Sequence, residues 1–157
     1  MVVAGVAALA VVAFFAVYGA SRYLDQSSQP PHVTSSVDDR SADAATRAAN
    51  AELTAYAAGD WRGAWDLWTA AGKQAISRTD YQRYHTECQT ITGIPFQIKT
   101  LRLEGDSEAV LVVERQGVQF SYSFFYEDHA WRFQPDTDAM ASYAKGVDKL
   151  IAECKTS

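Results

Sequence analysis

The chain has 157 residues, with 14 Lys and Arg against 19 Asp and Glu, for a net charge of −5. Arg22 is the one charged residue of the first 24, so the remainder is more acidic still, at 13 Lys and Arg against 19 Asp and Glu. That balance argues against a nucleic-acid binder and against a polybasic grip on anionic lipid, both of which need clustered positive charge.

The first twenty residues, MVVAGVAALAVVAFFAVYGA, carry no charge and no strongly polar side chain. A helix of that length would cross the roughly 30 Å hydrocarbon core of a bilayer. A signal peptide would want a basic n-region and a shorter apolar centre. Here the basic n-region is missing, and Val17 and Gly19 make an indifferent cleavage site. We therefore expect a retained single-span anchor over residues 1–24. Arg22 on its C-terminal side, read by the positive-inside rule, would hold that side in the cytoplasm; the cysteines, below, argue the opposite. Residues 25–44, DQSSQPPHVTSSVDDRSADA, bury too little apolar surface to offset their ordering entropy, which predicts a flexible polar tether.

From Ala45 the period is helical. Ala49, Leu53, Tyr56 and Ala57 share a face, and Gly59 ends the helix. Asp60 caps a second helix, expected to reach Gly72 and to carry Trp61, Trp65 and Trp68 at i, i+4 and i+7. Ser77 caps a third, with Asp80 three residues on and Tyr81, Tyr84, His85 and Cys88 on its apolar side. After TGIP at 92–95 the period drops to two. Strands are expected over 96–104 and 108–115, then a tight turn at Gly117, a third strand with Phe120, Tyr122 and Phe124 on one side, and a short fourth holding Trp131 and Phe133. PDTD at 135–138 ends the sheet and caps a closing helix through Met140, Tyr143, Leu150 and Cys154. Three helices, a four-stranded antiparallel meander and a last helix make an α+β domain with helices on one face of a curved sheet.

The stretch AELTAYAAGDWRGAWDLWTAAGKQ resembles the opening helix pair of the nuclear transport factor 2-like superfamily, and VERQGVQFSYSFFYEDHAWRF resembles its later strands. The likeness covers roughly residues 45–135 of an expected domain spanning 45–157. An anchor, a tether and one such domain most resemble small actinobacterial cell-envelope proteins, among them accessory proteins of lipid-import systems. The resemblance implies a cone-shaped domain with a cavity between sheet and helices. Its lining could come from Tyr56, Trp61, Trp65, Trp68, Tyr81 and Tyr84 on the helices and from Phe120, Tyr122, Phe124 and Trp131 on the strands, but aromatic stripes at helical spacing are usually core, so the tryptophan face is expected chiefly to fill the cone. The superfamily hosts isomerases and cyclases as well as plain binding modules, so the fold alone does not choose between them. Open sheets of this fold also form dimers.

Cys88 and Cys154 are the two cysteines. They could be small buried hydrophobes in a reducing compartment. Behind a membrane span they are expected to form a disulfide, which places the domain outside the cytoplasm. His85 and Cys88 at i, i+3 are too few ligands for zinc, so no metal is expected, nor any cofactor. The acids noted along the strands, Glu104, Asp106, Glu108, Glu114, Glu127 and Asp128, fall at strand ends and turns, and no nucleophile–base spacing, phosphate loop or metalloprotease helix is present. The expected function is thus a non-catalytic accessory or scaffold module of a cell-envelope complex, membrane-anchored and extracytoplasmic. Its rival is a small apolar-ligand carrier, or an isomerase or cyclase using the cavity.

Overall fold

A computed structural model describes residues 38–156; the expected anchor over 1–24 and the tether as far as residue 37 lie outside the described residues. Among the described residues, no helix is long and apolar enough to cross a membrane. The remainder of the expected tether belongs to the fold. Arg40 lays its guanidinium 4.4 Å from the Tyr126 ring centroid and donates to the Asp106 carbonyl at 3.2 Å. Ser41 caps helix α1, Ala42–Ala58, accepting the Ala44 N–H at 3.1 Å, so the helix begins three residues ahead of Ala45.

Along α1 the buried positions Ala45, Ala49, Leu53 and Ala57 recur every four residues. Three of the four are alanine, which lets the helix axis lie close against the sheet. Gly59, at φ 79°, closes it, and Asp60 caps α2, Trp61–Asp66, through the Gly63 N–H.

The second helix does not run to Gly72. After Asp66 the chain leaves helical geometry and pairs briefly with the last strand. The Leu67 carbonyl accepts the Phe133 N–H at 3.1 Å, and the Thr69 N–H donates to the Phe133 carbonyl at 2.9 Å, a parallel bridge centred on Trp68. Thr69 then caps α3, Ala70–Ala75, accepting the Gly72 N–H at 3.0 Å. Trp68 therefore does not share a helical face with Trp61 and Trp65. Ser77 and Asp80 begin α4, Arg78–Glu87, as expected, with the Asp80 N–H on Ser77 Oγ and the Ser77 hydroxyl on Asp80 Oδ2.

The sheet is an antiparallel meander in the order β1–β2–β3–β4, with β1 Gln97–Glu104, β2 Glu108–Arg115, β3 Val118–Glu127 and β4 Ala130–Gln134. Gln116 and Gly117 both have positive φ, as do Asp128 and His129, so both two-residue turns bend with the natural twist of the strands. β4 pairs with Ser123–Glu127 alone, leaving Val118–Tyr122 of β3 without a partner on that side among the described residues. Ala109, Leu111 and Val113 of β2, with Phe124 and Trp131, form a core under α1. A second cluster, Trp61, Trp68, Ile76 and Tyr81, fills the space between the other helices and the end of the sheet.

The closing helix is two helices: α5, Thr137–Tyr143, capped by Asp136, and α6, Val147–Cys154. Gly146, at φ 91°, separates them, a backbone state that L side chains rarely adopt. The break lets α5 pack on α3 while α6 packs on α4. Cys88, at the end of α4, is disulfide-bonded to Cys154, with Cα atoms 5.8 Å apart. The ion pairs beside it, Lys155–Glu87 and Arg83–Asp148, both at 2.8 Å, are exposed and add little. The bond across 66 residues and the buried Leu150 and Ile151 of α6 therefore make the α4–α6 tie. The C88S/C154S double variant is expected to lose roughly 4 kcal/mol of unfolding free energy by the chain-entropy account, read as a lower urea midpoint.

Candidate functional site

Between α1, the Trp68 bridge, α4, the strands and α5 lies a cavity of about 140 Å³. Its polar centre is Glu52, which falls on the α1 stripe between Ala49 and Tyr56 and is 2% exposed. Burial pushes its carboxyl up to about 8, so it is largely protonated at neutral pH. The indole N–H of Trp68 pulls the other way by favouring the charged form. That contact falls short of a well-formed hydrogen bond, and Trp68 Nε1 is buried with no other partner.

Four tyrosines join Glu52 in the lining: Tyr56 of α1, Tyr81 of α4, Tyr122 of β3 and Tyr143 of α5. Burial raises the pKa of each above the ordinary phenol value, and the Arg115 guanidinium opposes part of that rise at Tyr56 and Tyr122. All four hydroxyls stay protonated at physiological pH. Phe96, Phe133 and Pro135 complete the apolar wall, and Asp136 stands at the rim. Its Oδ1 accepts the Ala139 N–H at 2.7 Å, so the cap of α5 doubles as part of the lining. Beside the rim, Ser121, Ser123, Gln134 and Thr137 line a more open groove of about 320 Å³ that shares Tyr122, Pro135 and Asp136 with the cavity.

Of the ten aromatic residues expected in the lining, Tyr56, Trp68, Tyr81 and Tyr122 are there. The other six do not line it. Trp61 stacks on His85, with centroids 4.4 Å apart and planes 16° apart. Trp65 donates to the Ile76 carbonyl at 2.9 Å, and Lys73 lies over its ring. Tyr84 packs edge-on against His85 and Tyr143. Phe124 and Trp131 belong to the core under α1, and Phe120, at 39% exposed, stands on the part of β3 that β4 does not reach. The physical reason is the helix break at Leu67: once Trp68 turns inward on a strand-like segment, Trp61 and Trp65 lie on a separate short helix.

Two lining acids had no place in the sequence-based expectation of a site. Glu52 had a usable signal, since it lies three residues after Ala49 and one before Leu53 on the face read as apolar. A carboxyl in that stripe must be buried or must break the stripe. Asp136 reads from sequence only as a cap.

Behind the wall, His85 donates or accepts through Nδ1 with Thr90 Oγ1 at 2.8 Å, and its Nε2 has no partner among the described residues. Burial pushes the imidazole down to about 4, so it is neutral. It does not line the cavity, and no pair of titrating groups within hydrogen-bond reach is formed there. Among the described residues, no group of three or more His, Cys, Asp and Glu is placed to hold a metal ion. No protein-family model, curated protein or solved structure matches the chain.

The two buried groups set an unusual pH profile. Unfolded, Glu52 would ionise near 4.5, whereas folded it keeps its proton to about 8. Between those values the native state binds more protons, and stability falls as pH rises. His85 does the reverse: the unfolded state takes a proton near 6.5 and the folded state at about 4, so stability falls as pH drops through that window. The two slopes oppose each other from about pH 4.5 to 6.5 and leave a net decline from about 6.5 to 8, of up to about 1.4 kcal/mol per pH unit. Urea unfolding across pH 5–8.5 should show a near-level region followed by that decline. In Glu52→Gln the decline above 6.5 should vanish, and stability should fall on the acid side instead.

Proposed function

We propose that the chain is a single-pass, membrane-anchored protein whose nuclear transport factor 2-like domain lies outside the cytoplasm and serves as a non-catalytic accessory or scaffold in a cell-envelope complex. The observation that carries the compartment is the Cys88–Cys154 disulfide, a bond that persists in oxidising surroundings and is rare in the cytosol. The α+β arrangement, with α1 packed across a four-stranded antiparallel meander, supports the family reading. The non-catalytic reading is supported by the lining. Its one buried acid, Glu52, is accompanied by four protonated phenols, while the Asp136 carboxylate stands at the exposed rim and caps α5 through the Ala139 N–H; general acid–base catalysis needs a poised pair in reach of a substrate. A partner has apolar surface to use: Val118 and Phe120 are 55% and 39% exposed on the unpaired half of β3, where strand addition or a sheet-mediated homodimer would cover them.

A second reading has its own support. A nearly fully buried carboxyl facing a partly open cavity is what a small-molecule carrier, or an isomerase or cyclase, would place at the floor of its site. The cavity is smaller than the 300 Å³ or so at which drug-sized ligand sites begin, so a ligand confined to it would be small.

The compartment is tested by intact mass of freshly prepared protein, alkylated before and after reduction. The expected result is no labelling before reduction and two labels after it. A C-terminal reporter that matures only outside the cytoplasm should be active in cells. Two free thiols in the native protein, together with an inactive reporter, would overturn the extracytoplasmic reading.

A further inference from the structure

The geometry points to the Glu52 cavity as a cage for a small organic cation, a methylated ammonium group held between aromatic faces and the Glu52 carboxylate. This deepens the ligand-binding reading of the cavity and rests on it; it holds in whichever compartment the domain lies.

Three features carry the inference. The first is the composition of the wall. Seven of the twelve lining residues are aromatic, two are carboxylic acids, and none is Lys, Arg or His. Rings reach the space from separate elements, with Trp68 and Tyr81 at 4.6 Å between centroids, Trp68 and Tyr143 at 6.0 Å, and Tyr122 and Phe133 at 5.4 Å. Aromatic faces are negative, and a cation among several of them keeps electrostatic attraction after losing its water. An apolar neutral ligand would need the rings but would leave Glu52 unused. An anion would face two carboxyls with no positive partner in the wall.

The second feature is the pair of polar groups at the floor. Glu52 is 2% exposed and aimed into the space, and Trp68 Nε1 beside it is buried without a well-formed acceptor. Both defects are repaired by the same event. A cation in the cage favours ionised Glu52, and the carboxylate then gives the Trp68 N–H a charged acceptor. The proton leaves for solvent, so charge balances as one cation enters and one proton departs.

The third is size. A space of about 140 Å³ is well above what a single water needs and below the roughly 300 Å³ of drug-sized sites, which suits a compact group such as the tetramethylammonium ion or the head of a larger methylated amine. The open groove that shares Tyr122, Pro135 and Asp136 would take any tail, and Asp136 places a second negative charge at the rim.

Tyr56 on α1, Tyr81 on α4, Tyr122 on β3 and Tyr143 on α5 are uncharged, as is His85 behind Tyr81. Asp136 precedes α5, while Phe96 before β1 and Phe133 on β4 bring no charge. Among the described residues, the guanidinium of Arg115 on β2 sits 4.8 Å from the Phe96 centroid and 5.9 Å from that of Tyr56. Its Nε and Nη2 are donated to the Ile94 and Ile91 carbonyls, and it is not part of the wall.

Titration calorimetry on the full-length chain in a non-ionic detergent tests this, with tetramethylammonium chloride, choline chloride and the neutral choline isostere 3,3-dimethyl-1-butanol. Both cations should bind, at least about tenfold more tightly than the alcohol. Wild-type affinity for tetramethylammonium should rise with pH between 6 and 8, by up to about tenfold per unit, since a proton is released on binding. Glu52→Gln should lose at least about tenfold in affinity together with that pH dependence. Tyr143→Leu, which keeps the acid and removes one ring, should weaken the cations and spare the alcohol, and it stands in if Glu52→Gln does not fold. Tighter binding of the alcohol than of the cations would overturn the cation assignment while leaving the cavity a ligand site. Cation binding that ignores both pH and Glu52→Gln would likewise overturn it. Absence of binding by all three probes would overturn the ligand-binding reading as well.

Discussion

Two backbone hydrogen bonds, from Phe133 N–H to the Leu67 carbonyl and from Thr69 N–H to the Phe133 carbonyl, decide how the helical layer meets the sheet. They take Leu67–Thr69 out of the helix that Trp61 begins and set it beside β4. Trp68 is thereby turned inward to 1% exposure, against Tyr81 on α4 and Phe133 on the sheet. Thr69 can then start α3, whose Gly72 meets Pro135 so closely that an added Cβ would stand 2.8 Å from the proline ring. The cavity exists because this short strand-like segment, and not a helical turn, forms one of its walls.

That wall gives Glu52 its properties. A carboxyl on a stripe of alanines and a leucine would be a simple packing defect if the indole N–H and four phenols did not surround it. As built, the interior of the site is polar but uncharged, with a protonated acid, neutral hydroxyls and, behind them, a neutral imidazole, and its one carboxylate, Asp136, stays at the rim. Keeping these groups neutral avoids the large cost of a buried charge without its counter-ion. It also stores a readiness to ionise, because any positive charge entering the space would be compensated at once. Under the proposed cation binding, stability and affinity would be linked through one proton on one residue.

The disulfide acts at the other end of the helical layer. α6 presents only Leu150 and Ile151 as buried residues, too little to hold a two-turn helix by packing alone. Cys88–Cys154 fastens it to α4, whose inner face holds Tyr81 and His85 against the cavity wall. A covalent tie at the edge thus supports the aromatic layer that encloses Glu52.

Local chemistry made much of the fold legible. Gly59, Asp60, Ser77 with Asp80, and Asp136 punctuate helices as their side chains and backbone preferences require, whereas Ser41, the cap of α1, was hidden in the polar stretch read as tether. Alternation placed the four strands and Gly117 their central turn, and the two cysteines stood on helices that meet. Such features depend on neighbours within four residues, which a sequence displays directly. The breaks at Leu67 and Gly146 were hidden behind a stronger periodic signal, although Thr69 and Gly146 were both visible as residues that end or begin helices. By itself, then, the sequence determined which segments are helix or strand, their order as an α+β domain, and which residue types must be buried. Tertiary structure alone decided that Trp68 pairs with a strand 65 residues away, that Glu52 faces a cavity rather than a packed wall, and that Asp136 stands at its rim. Those outcomes rest on contacts between residues far apart in the chain, whose energies depend on relative placement and leave no periodic trace along it.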